Sequence, residues 1–117
     1  MSKYIVLYCA PAAALEAWMQ QPEEVRKADE EKMKGEWDAW MSAHGANLKE
    51  TAGAGKTKRV TAEGTADVKN DVMMYSMVEG ESTEAVAKMF EGHPHFGIPG
   101  GWIDVMPANA LPGMEGM

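Results

Sequence analysis

The chain has 117 residues, 45% of them hydrophobic and 25% charged, which suits one globular domain and does not make disorder the default reading. Eighteen acids against eleven bases give a net charge of −7, which repels a phosphate backbone, so no nucleic-acid partner is expected. A single cysteine, Cys9, excludes an internal disulfide and any zinc site built from paired cysteines, and fits a reducing compartment.

Residues 3–9 form a run of β-branched and aromatic side chains stopped by Pro11, which predicts a first strand. One base and a short apolar run are not the layout of a signal peptide, so a cytoplasmic location is expected. No apolar stretch approaches the roughly 20 residues of a membrane span, so no membrane partner is expected either. Residues 12–20 place Leu15, Trp18 and Met19 at helical spacing, and Pro22 ends that short helix. A long helix over 22–44 follows. Glu23 and Glu24 suit its positive end, Met33, Trp37, Trp40, Met41 and His44 mark one face, and Gly45 stops it.

Residues 48–71 are polar and punctuated by Gly53, Gly55 and Gly64, which predicts a hairpin or an irregular edge strand. Within them Gly53-Ala54-Gly55-Lys56-Thr57 looks like the end of a phosphate-binding loop. The earlier glycine that the pattern needs is Glu50, so a hairpin turn is the better reading. Residues 72–79 are a strong strand, Ser82 is a natural N-cap for a helix reaching Phe90, and residues 102–106 form a last strand. The domain spans residues 1–107, and residues 108–117 form an irregular tail without periodicity.

This order predicts an α+β sheet with helices on one face. Alternation divides the strands into two sets. Ile5, Leu7, Cys9, Val72, Met74, Val78, Ile103 and Val105 are nearly all aliphatic and are expected under the helices. Tyr4, Val6, Tyr8, Met73, Tyr75, Met77, Trp102, Asp104 and Met106 are expected on the open face. That face is too apolar for water, and a two-fold homodimer is the simplest cover.

His93-Pro94-His95 carries the most pointed chemistry. Two imidazoles joined by a stiff proline can move protons near neutral pH or hold a metal; alternatively His93 caps a helix end and His95 lies on the surface. Further metal ligands are scarce, so no metal site is expected. Asp104, on a strand beside Trp102, is a candidate base or a paired structural carboxylate. Tyr8, Tyr75 and Trp102 are candidate ligand contacts. The eleven methionines suit an adaptable interface or an irregular apolar pocket.

Several segments together resemble the YCII-related (YciI-like, DGPF) family: residues 3–8, Trp37 and Trp40 before a glycine, 75–79, 82–85, Gly92-His93-Pro94-His95 and 103–107. The resemblance implies a ferredoxin-like βαββαβ domain that pairs as a dimeric α/β barrel. Barrels of this kind include small enzymes that transform cyclic organic compounds, often without a cofactor. A His–Asp pair in a cleft is the feature on which YciI-like proteins have been suggested as enzymes.

The expectation is therefore a homodimer without cofactor, binding or transforming a small cyclic or aromatic metabolite. His93, His95 and Asp104 are its candidate catalytic residues, and Tyr8, Tyr75 and Trp102 its candidate ligand contacts. The alternative is a non-enzymatic accessory protein associating through its acidic surface, since some family members are encoded near, or fused to, sigma factors.

Overall fold

The computed structural model describes residues 2–114. Strand β1 is Ser2–Cys9, followed by helices α1, Ala12–Met19, and α2, Glu23–His44. After a 3-10 turn at Gly45–Asn47 come β2, Leu48–Gly53, β3, Thr57–Thr61, β4, Gly64–Val68, and β5, Val72–Gly80. Helix α3, Thr83–Met89, a 3-10 turn at Pro94–Gly97 and strand β6, Trp102–Pro107, complete the chain. The glycine-rich segment that resembled a phosphate loop is the turn between β2 and β3, with no helix after it. Tail positions 115–117 lie outside the described residues.

Four strands form one antiparallel sheet in the order β2-β5-β1-β6, while β3 and β4 form a separate two-stranded ribbon. The two centre strands are those with apolar side chains on both sides, as burial between neighbours requires. Pro107 is tolerated because β6 is an edge strand. A single copy contains no closed barrel.

Register corrects the expected division of faces. Tyr8 lies opposite Met74 on β5 and Ile103 on β6, and Val6 lies opposite Ser76 and Val105. Tyr4, Val6 and Tyr8 therefore share the covered face with Met74, Val78, Ile103 and Val105, and join Trp40, Val86 and Phe90 in the core. Ile5 and Leu7 stand on the open face instead. Rows Glu50–Met77–Ile5–Met106 and Ala52–Tyr75–Leu7–Asp104 run across it. The assignments for β5 and β6 hold and that for β1 reverses. Tyrosine is compatible with the core here because the Tyr8 hydroxyl finds a buried partner, Ser76 Oγ, at 2.7 Å.

The helices grip the sheet unequally. Ser82 caps α3 as its sequence predicts, its Oγ accepting the Ala85 N–H at 3.0 Å. Gly80 lets α3 come close: a Cβ there would lie 2.3 Å from Val86 Cγ2. Helix α2 packs through its last turns, where Trp40 is buried and its Nε1–H donates to the Met89 carbonyl at 3.2 Å. That bond satisfies one of the free carbonyls at the end of α3. The polar first half of α2 stands clear of the core, and α1 buries no residue at all. The radius of gyration is 16.4 Å, against about 13 Å for a compact chain of this size.

Candidate functional site

The residues after α3 are built to carry two imidazoles inward. Gly92, with φ of +73°, turns the chain out of the helix in a conformation that glycine adopts freely. His93 then receives the His95 backbone N–H on its Nδ1 at 2.9 Å, and Pro94 opens the 3-10 turn between them. The His95 Nε2–H donates to the Cys9 carbonyl at 2.7 Å, tying the loop to the end of β1. Gly101 lets the following loop close over this ring, since a Cβ there would meet the His95 carbonyl oxygen at 3.2 Å.

Both histidines are buried, so His95 is not the surface residue of the helix-end alternative. The His93 ring centroid lies 4.4 Å from Trp37, 4.6 Å from Trp40 and 5.6 Å from Tyr8 and Phe90. The His95 ring lies 5.8 Å from Tyr8 on the same side of the sheet. Burial, reinforced by the neighbouring His95 and His44, pushes the His93 pKa down to about 4, so it is neutral at physiological pH.

These hydrogen bonds decide the tautomers. A neutral His93 that accepts at Nδ1 carries its proton on Nε2, and the neutral form of a His95 that donates from Nε2 has its lone pair on Nδ1. Among the described residues, neither His93 Nε2 nor His95 Nδ1 has a hydrogen-bond partner. Most buried side-chain nitrogens are paired, so two free ring nitrogens at and beside the aromatic enclosure of His93 are uncommon. Trp37 is only half-buried and forms the side of this enclosure nearest solvent.

Beside the histidines a row of hydroxyls crosses the sheet. Tyr8 Oη bonds Ser76 Oγ at 2.7 Å, and Ser76 Oγ bonds Thr51 Oγ1 at 2.7 Å. Burial raises the Tyr8 pKa, with the Ser76 bond working against it, so the phenol stays protonated. Sequence reasoning missed Ser76 and Thr51, although a serine in an otherwise apolar strand was a signal of a polar partner across the sheet.

The remaining candidates do not meet the histidines. Asp104 lies beside Leu7 on the open face and is exposed there, accepting the Trp102 Nε1–H at 3.3 Å. The Tyr75 hydroxyl donates to Glu50 Oε1 at 2.9 Å on that face, a bond that raises its pKa. Tyr8 is therefore separated by the sheet from Tyr75 and Trp102, with which the sequence grouped it. Burial, with the Asp104 and Asp71 charges, pushes the Cys9 thiol upward, which disfavours the thiolate that a nucleophile needs. Among the described residues, no three histidine, cysteine or acidic groups converge as metal ligands, and no helix is long and apolar enough to cross a membrane.

The architecture, a four-stranded antiparallel sheet with helices against one face, has a solved counterpart. The chain is similar to 5-chloro-2-hydroxyhydroquinone dehydrochlorinase (TftG) from Burkholderia phenoliruptrix AC1100, solved in complex with 2,5-dihydroxybenzoquinone. The TM-score is 0.53 at 13% sequence identity, over 98% of this chain and 100% of that one. At this identity it is a likeness of fold alone. No protein-family model matches the chain, and no curated protein matches it.

Proposed function

We propose that this protein is a small-molecule-binding protein or cofactor-free enzyme that acts as a homodimer on a small cyclic or aromatic compound. Its strand order, with helices on one face, supports a ferredoxin-like domain, and on this reading two open faces brought together make a dimeric α/β barrel. The site is the histidine enclosure. What carries this reading is the pair of unpartnered ring nitrogens, one donor and one acceptor, within an aromatic shell. On this reading a ring hydroxyl bridges the two, its O–H donating to His95 Nδ1 and its oxygen accepting from His93 Nε2–H. In a reaction, His95 takes the proton and His93 stabilises the oxygen charge that develops.

Trp37 must swing aside to admit a ligand, after which Tyr8 and Trp40 face its ring. The fold neighbour acts on a hydroxylated ring by its name, which supports this substrate class by analogy. Tyr75, Trp102 and Asp104 belong on this reading to the dimer interface, outside the site.

Tryptophan fluorescence during titration with hydroquinone and 2,5-dihydroxybenzoquinone tests the site, because Trp37 and Trp40 border it. We expect saturable quenching that weakens at least about tenfold in His95→Phe, as loss of a hydrogen bond to a charged or reacting group implies. Asp104→Asn should leave it unchanged. Equal binding by His95→Phe, or loss of binding in Asp104→Asn with the dimer intact, would move the site to the open face.

A further inference from the structure

The β3–β4 ribbon is an arm that pairs with no other strand among the described residues and is tied to α1 only through Lys69 and Glu16. It forms a two-stranded sheet apart from the main one, and such a ribbon is at best marginally stable alone in water. Its five-residue strands reach roughly 17 Å. Nearly every arm residue is exposed, Val60 to 76%. Between the arm and α1 lies an open groove of about 1390 Å³ with Leu15, Met19, Val68 and Met73 in its walls.

The arm also differs in charge from everything else. Residues 56–69 hold four bases (Lys56, Lys58, Arg59 and Lys69) and two acids (Glu63 and Asp67), a net of +2, which leaves −9 on the rest of the chain. Lys58 pairs with Asp67 inside the arm and Lys69 with Glu16 of α1, while Lys56 and Arg59 have no ion-pair partner among the described residues. Helix α2 carries seven acids and four bases, a net of −3. There Lys27 holds Glu23 and Lys34 holds Asp38, but Glu24, Glu30, Glu31 and Glu36 are exposed and unpaired among the described residues. That part of α2 is also the part that stands clear of its own core.

We infer that the arm of one copy seats on the first half of α2 of a second copy, with Lys56 and Arg59 against the Glu30–Glu31 region. The inference rests on the homodimer proposed above and adds an element, a charge pattern and a salt dependence to it. A second copy is the fitting occupant because it supplies the acidic helix in fixed stoichiometry. Two exposed elements of opposite sign attract, and the attraction fades once salt shortens the screening length to a few ångströms.

Sedimentation equilibrium on the full chain tests this. The dimer dissociation constant should rise several-fold between about 0.05 M and 0.5 M sodium chloride, because these pairs are solvent-exposed. The variant Lys56→Glu/Arg59→Glu should dissociate roughly tenfold more readily at low salt, as should Glu30→Lys/Glu31→Lys. A chain with all four changes should recover most of the loss, which a merely misfolded arm would not. Equal dissociation constants for all four proteins would overturn the arm contact while leaving the homodimer standing. A monomer in every protein, wild type included, would overturn both.

Discussion

With Nδ1 bound to the His95 amide and four aromatic rings around it, His93 gives up the proton affinity that a free imidazole has. Its pKa falls from 6.5 to about 4 on folding. Between these values the unfolded chain holds a proton that the folded chain does not, so stability rises with pH across the window. Stability is therefore lost progressively as the pH drops below about 6.5, and the loss from this residue is complete below 4. Its full size is on the order of 3 kcal/mol. Urea unfolding at a series of pH values should show His93→Phe losing less stability than the wild type between pH 7 and pH 4. Parallel curves for the two proteins would mean that His93 is protonated without cost. The sequence marked His93 and His95 by their spacing around proline. It did not show that both turn inward, because that direction depends on Cys9 and Gly101, which are distant along the chain or across a loop.

At the scale of elements, the close approach of α3 to β5 depends on one missing Cβ. Gly80 sits where any larger residue would collide with Val86 Cγ2. Gly80→Ala should cost about 1–3 kcal/mol, as overpacking of a core contact does. Adding Val86→Ala should recover part of that loss, so that the double variant is more stable than the two single effects predict together. Thermal unfolding of the four proteins checks it, and strict additivity would show that the helix simply shifts outward. The helix boundaries were legible: Ser82, Pro22 and the apolar spacing from Trp37 to His44 are local signals, and local signals fix where helices begin and end. The arm was legible only as a choice between a hairpin and an edge strand. The segment contains both, and only pairing shows that β2 joins the main sheet while β3 and β4 pair with each other.

For the whole molecule, the proposed homodimer puts its contact on the open sheet face. Ile5, Leu7, Tyr75 and Met77 are half-buried even without a cover, and Trp102 and Met106 are each 36% exposed beside them. A charge placed among them loses its water when two faces meet, at a cost of several kcal/mol. Met77→Lys should therefore be monomeric in sedimentation at concentrations where the wild type pairs, with its circular dichroism unchanged. An unaltered dimer would place the contact elsewhere. The sequence by itself determined the three helices, the first, fifth and last strands, their order, and a sheet covered on one side by helices. Those follow from alternation, helical spacing and capping, which are properties of short segments. Only the tertiary structure decided that Tyr4, Val6 and Tyr8 turn towards the helices. It also decided that the histidines and Asp104 stand on opposite sides of the sheet. Alternation sorts one strand's side chains into two sets, but which set joins which belongs to the register between strands, and register exists only once they pair.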